Sequence, residues 1–154
     1  MTRRMGMSVW WRWVLAPLVL ILLNISTVAG AKEQKLGVPD TILRGMGDYA
    51  FQGAEAAVKA WTKGSTLEGS PEALIQVNSL KQVESLYGKF LNHHIIQVHE
   101  MTPSTLIVYL SINYERGPLF ARFIAYRLKD SWILPEFSFH IRPEAVFPPS
   151  LLAD

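Results

Sequence analysis

The chain has 154 residues with 15 basic and 13 acidic side chains, no cysteine and a mean hydropathy of +0.16. The absence of cysteine excludes disulfides, thiolate nucleophiles and thiolate metal sites together. Three arginines fall in the first 31 residues and no acid does, so the remainder carries 12 basic against 13 acidic groups, and the isoelectric point near 9.0 is no argument for nucleic-acid binding.

Residues 1–31 read as an export signal. Arg3, Arg4 and Arg12 give a basic start, an apolar run extends from Val14 to Val28, and Ala29-Gly30-Ala31 is an A-x-A cleavage pattern. Pro17, Asn24, Ser26 and Thr27 interrupt the run, which falls short of the ~20 apolar residues of a spanning helix. Cleavage after Ala31 places the mature protein in a periplasm or outside the cell. A signal retained as an anchor is the alternative, with Trp10, Trp11 and Trp13 suited to the membrane interface. The 123 residues that remain make one ordinary domain.

Residues 32–47 form a polar leader, with a loose helical turn over 40–47 weakened by Gly45 and Gly47. Asp48 is read as the cap of a helix running to about Lys63, with Phe51, Ala54, Val58 and Trp61 on its inner face. Ser70-Pro71-Glu72 is a second start signal, for a helix reaching Tyr87 and ending at Gly88. Leu74, Val77, Leu80 and Tyr87 form its stripe.

After Asn92 the period changes from helical to alternating. Four strand-like runs follow, over 94–101, 105–114, 119–128 and 132–141, with separators short enough to require antiparallel hairpins. Closing each hairpin at its separator pairs Met101 with Thr105, Tyr114 with Leu119, and Leu128 with Trp132. One face then collects Ile96, Val98, Leu106, Val108, Leu110, Ile112, Ala121, Phe123, Ala125, Ile133, Phe137 and Phe139, an apolar surface for the helices to cover. Residues 142–154, with Pro143, Pro148 and Pro149, form an irregular tail. The fold class is α+β, with N-terminal helices on one face of a four-stranded antiparallel sheet spanning residues 48–141.

Helices followed by a curved antiparallel meander, with segments such as Ala54-Glu55-Ala56-Ala57-Val58-Lys59-Ala60-Trp61 and Tyr87-Gly88-Lys89-Phe90, resemble the nuclear transport factor 2-like cone fold. The resemblance implies a helix–sheet cavity. It supplies no catalytic residue, because none of these segments is a catalytic signature and the fold serves many activities.

Few groups suited to acid–base chemistry fall on the inner face. Glu100 and Arg127 lie in one cross-strand row at one end, and His94 and Tyr114 lie toward the other. These four are the candidate cavity-rim residues. His93, His94 and His99 cluster in sequence, but strict alternation sends His94 and His99 to opposite faces, so no metal or other cofactor is expected. Gly45-Met46-Gly47-Asp48-Tyr49-Ala50 fits G-x-G-x-x-A but lacks the preceding strand that a dinucleotide site requires.

The outer sheet face gathers Tyr109 on the second strand, Phe120, Arg122, Ile124 and Tyr126 on the third, and Trp132, Leu134 and Glu136 on the fourth. With no helix left to cover it, this face is the candidate interface, for a homodimer or another protein partner. The chain therefore reads as an exported, non-catalytic binding or interaction domain without nucleic-acid binding, touching the membrane only through its N-terminal segment before cleavage. The alternatives are a small-molecule enzyme or lipophilic-ligand binder using the helix–sheet cavity, and a membrane-tethered accessory subunit should the signal be retained.

Overall fold

A computed structural model describes residues 37–153. The export signal, its cleavage point and the first five residues of the leader lie outside the described residues. Helices α1 (Asp40–Gln52), α2 (Ala54–Thr62) and α3 (Pro71–Tyr87) precede strands β1 (Phe90–Thr102), β2 (Thr105–Tyr114), β3 (Gly117–Leu128) and β4 (Ser131–His140). The strands form one antiparallel meander in the order β1-β2-β3-β4, and the helices pack on one of its faces, giving an α+β fold.

Helix α3 keeps the limits its caps dictate. Ser70 Oγ accepts from the Ala73 N–H at 3.1 Å, Pro71 opens the helix, and Gly88 at φ +84° closes it. Its buried side is Ala73, Val77 and Leu80, whereas Leu74 is exposed. The first two helices depart from the reading of a single helix over 48–63. Gly53 adopts φ +83°, a conformation that favours glycine, and its N–H bonds to the Tyr49 carbonyl, so the chain breaks there and α1 lies upstream. The break resets the helical phase: Phe51 is 90% exposed, and the core is instead reached by Ile42, Met46 and Tyr49 from α1 and by Ala57, Val58 and Trp61 from α2. Gly45 lies inside α1, where any Cβ would overlap the Trp61 indole.

The sheet register departs from simple alternation through bulges. In β1 the ladder skips Leu91, Ile96 and Met101, three exposed apolar residues at five-residue spacing. The shift at Ile96 leaves the register of 97–100 as expected but inverts the faces of the preceding residues, so Ile95 rather than Ile96 packs on the core. Between β2 and β3, Tyr114 pairs with Gly117 rather than Leu119, because Glu115-Arg116 alone makes the turn. A two-residue slip preserves the faces. Between β3 and β4, Leu128 pairs with Ser131 across Lys129-Asp130, with Lys129 at φ +55°. A further irregularity sets Leu134 and Pro135 opposite Ala125, where Pro135 has no N–H for a regular ladder. It restores the expected pairing of Phe123 with Phe137 but reverses the earlier part of β4: Trp132 and Leu134, expected on the outer face, turn to the helix side, and Leu134 is fully buried there.

The space between helices and sheet is filled by rings. Trp61 is fully buried, with ring centroids at 5.2 Å from Phe123, 5.8 Å from Phe137 and 5.7 Å from Phe139, and its indole N–H donates to the Ile42 carbonyl at 3.2 Å. Truncating Phe123 leaves a cavity among these rings, so Phe123→Ala is expected to cost about 3–5 kcal/mol. Phe51→Ala is expected to stay within about 0.5 kcal/mol, as for other exposed sites. Urea titrations of both variants check this, and comparable losses would place Phe51 in the core as the unbroken helix required.

Candidate functional site

The described residues form a large groove of about 940 Å³ at the end of the domain where the β1–β2 and β3–β4 turns meet the start of α1 and the end of α2. Leu106, Trp132 and Ile133 supply its apolar lining. Its charged lining comes from four places in the chain: Asp40 and Arg44 on α1, Lys63 just after α2, Glu100 on β1, and Arg127 and Asp130 at the β3–β4 turn. No ion pair links any of these six to another. Backbone and side-chain bonds fix the frame. The Arg127 N–H donates to the Ser104 carbonyl at 2.9 Å, tying the two turns, and the Thr41 hydroxyl donates to the Trp132 carbonyl at 2.9 Å, tying α1 to β4. The Arg127 guanidinium lies 4.6 Å from the centre of the Trp132 ring, a cation–π arrangement that holds the charge at the groove wall.

Two of the four rim candidates therefore share a site. Glu100 and Arg127 both line the groove, although the β2–β3 slip places Ala125 rather than Arg127 beside Leu106. The other two separate. The Ile96 bulge turns His94 to the outer face, opposite Ser111, and the same shift puts His94 and His99 on one face rather than on two. His93 turns inward instead, and burial, then the neighbouring His94, lowers its pKa. Among the described residues no group of three or more His, Asp or Glu side chains is placed to hold a metal ion.

Tyr114 lies at the end of β2 remote from the groove, buried, with its hydroxyl 2.8 Å from that of Tyr49. Tyr49 also packs edge-on against Phe90 and Tyr114. Each phenol satisfies the other in a place water does not reach, the condition on which buried polar groups are tolerated. Burial raises both pKa values. The Tyr49 phenol is pushed far above its ordinary range, by burial first and then by Tyr114 and Glu84. Tyr114 is pushed up to about 12 by burial and Glu84, against the lowering effect of the hydrogen bond with Tyr49. Neither phenol lines the groove. The arrangement is a buried polar lock between α1 and β2.

The outer sheet face is not bare. After β4 the tail forms two short 3-10 turns, Pro143–Ala145 and Pro149–Leu151, and crosses the sheet. Val146 and Phe147 are buried against Tyr109, with Ile107, Phe120 and Leu151 packed around them. The Phe147 ring centre lies 5.6 Å from that of Tyr109 and 5.3 Å from that of Phe120. Two of the eight interface candidates are thus covered by the chain itself, and Trp132 and Leu134 face the helices. Arg122 and Glu136, both outer-face candidates, pair at 2.6 Å, and Tyr126 stays exposed with Ile124 half-buried beside it.

No protein family, curated protein or solved structure matches this chain. Sequence reasoning missed Asp40, Arg44, Lys63 and Asp130 as groove residues, because they stand in three separate segments and only the tertiary fold gathers them. The Tyr49–Tyr114 lock yields a test. Tyr114→Phe leaves the Tyr49 hydroxyl buried without its partner and is expected to cost about 1–3 kcal/mol. In alkali, an unfolded Tyr114 ionises from about pH 10 while the folded one holds its proton up to about 12. The unfolded state then binds fewer protons, so stability falls across pH 10–12. Urea titrations in that range should show a fall that is shallower in Tyr114→Phe; equal slopes would contradict the burial of this phenol.

Proposed function

We propose that the chain is an exported, non-catalytic binding domain of the cone-fold type, and that its ligand is a short polar segment bearing charges of both signs, such as an extended peptide, held in the end groove. The observation that carries this reading is the groove itself: six charged side chains, three of each sign and none paired with another, around the apolar Trp132 floor. Its volume is in the range of ligand sites. The balance of signs disfavours polyanions such as nucleic acid, since Asp40, Glu100 and Asp130 stand among the cations. The packed ring cluster supports binding at this end over chemistry in a helix–sheet cavity, because Trp61, Phe123 and Phe137 occupy the space such a cavity would need. Export rests on the basic, apolar and A-x-A pattern of residues 1–31.

A second reading, self-association through the outer face, draws on the exposed Tyr126 beside the Arg122–Glu136 pair. It applies to the part of that face the tail leaves open.

Titration of the full chain with an end-blocked peptide of alternating lysine and glutamate, followed by backbone amide shifts, tests the groove. Shifts are expected at Glu100, Arg127 and Trp132 and not at Tyr126. Arg127→Glu is expected to weaken binding at least tenfold while costing no more than about 1 kcal/mol of stability, the loss of its exposed contact with Trp132. Absence of shifts at millimolar peptide, or binding indifferent to Arg127→Glu, would overturn the proposal.

A further inference from the structure

The tail that covers the outer face is attached in an unusual way. All its backbone hydrogen bonds are local: Ala145 to Arg142, Val146 and Phe147 to Pro143, Leu151 to Pro148, and Leu152 and Ala153 to Pro149. The Arg142 N–H bonds to His140 two residues back, and Arg142 pairs only with Glu144. Among the described residues no hydrogen bond or ion pair joins residues 143–153 to the helices or to any of the four strands. What holds the tail is the apolar contact of Val146, Phe147 and Leu151 with Ile107, Tyr109 and Phe120, a cluster separate from the main core.

We propose that the tail is a detachable strap that opens while the rest of the domain stays folded, and that by closing it keeps the aromatic outer face from pairing with a second copy of the chain. Three observations support opening. Detachment breaks no polar bond to the sheet. Only two buried side chains of the tail and their ring contacts are set against the conformational entropy of ordering ten or so residues, so apolar contact holds the strap closed with little margin. On the face it crosses, Arg122 Nε is buried with no hydrogen-bond partner, so closure brings no polar compensation there. The local bonds of the two 3-10 turns and the three prolines let the strap keep its shape when released, which lowers the cost of closing again. Segments with few apolar anchors and solvent-facing local bonds are those that open independently of the global unfolding reaction.

A second copy is the occupant the uncovered face fits. With β2 and β4 each ten residues long and four strands side by side, the face measures about 600 Å² in outline. That approaches the ~800 Å² per partner of a standard interface only when the strap is away. The uncovered surface presents Ile107, Tyr109, Phe120, Ile124 and Tyr126 around the adjacent opposite charges of Arg122 and Glu136, and a two-fold axis would set each of those charges near its complement in the partner. This step rests on the outer-face reading given second above.

Hydrogen exchange on the full chain, combined with sedimentation, tests the proposal. The Val146 and Phe147 amides are expected to exchange at least a hundredfold faster than those of Val108 and Phe123. Phe147→Ala is expected to bring the tail amides near the unprotected rate, leave sheet protection unchanged, and shift the protein toward twice the monomer mass at micromolar concentration. Tail amides that exchange only as slowly as the sheet would overturn the strap, as would a loss of sheet protection in Phe147→Ala, which would make the tail an integral part of the fold. A fast-exchanging tail in a variant that stays monomeric would overturn the gating, and with it the outer-face reading, while leaving the end-groove proposal intact.

Discussion

The described structure depends on one side chain seated against a missing one. The Trp61 indole reaches from α2 into the place where a Cβ of Gly45 on α1 would stand, donates its N–H to the Ile42 carbonyl one turn away, and lays its ring against Phe123, Phe137 and Phe139 of the sheet. Two helices and two strands are fixed by that single ring. Because interiors tolerate neither voids nor overlap, the contact sets how closely α1 approaches α2 and where both lie on the sheet. The break at Gly53 is part of the same constraint: only a chain that turns between Gln52 and Ala54 brings Trp61 back over Gly45.

The location of the groove follows. With the centre of the helix layer keyed to β3 and β4, the start of α1 overhangs the hairpin turns, and the Thr41–Trp132 bond closes that corner. The filled interior leaves the domain's chemistry at its periphery, where charges from four segments meet around Trp132. At the opposite end the Tyr49–Tyr114 pair locks α1 to β2, away from the groove. The two ends of α1 thus have different tasks, one bounding a solvent-filled groove and the other sealing the core.

Much of the fold was legible in the residues. Ser70-Pro71 and Gly88 set the limits of α3 because caps act locally, and the change of period after Asn92 announced the meander because burial on one face imposes alternation. The rest was not legible, for identifiable reasons. A bulge adds one residue without a sequence mark of its own, and the one at Ile96 moved His94 to the other face. Pro135 did mark its bulge through the missing N–H, a signal that would have turned Trp132 and Leu134 inward. Gly45 looked like a weak point by helix propensity, whereas tertiary packing gives it a use. Of the candidate site, Glu100 and Arg127 were found by counting along strands, an argument that survives a two-residue slip. Asp40, Arg44, Lys63 and Asp130 carry no such count, since helix ends and turns have no register. The tail was passed over because its anchors, Val146 and Phe147, lie between prolines where no periodicity exists.

The measurement that bears most directly on this account is the stability of Gly45→Ala. In a helix whose packing does not depend on this position, alanine is worth about 1 kcal/mol over glycine and the variant is more stable. With the Trp61 ring in the place of the Cβ, the added methyl must expel the indole from its slot, at a cost that overrides the gain in propensity. The expected result in urea unfolding is a net loss of at least about 1 kcal/mol, accompanied by a changed Trp61 environment in near-ultraviolet circular dichroism. A Gly45→Ala protein that is more stable than the parent, with that signal unchanged, would contradict the account at its centre.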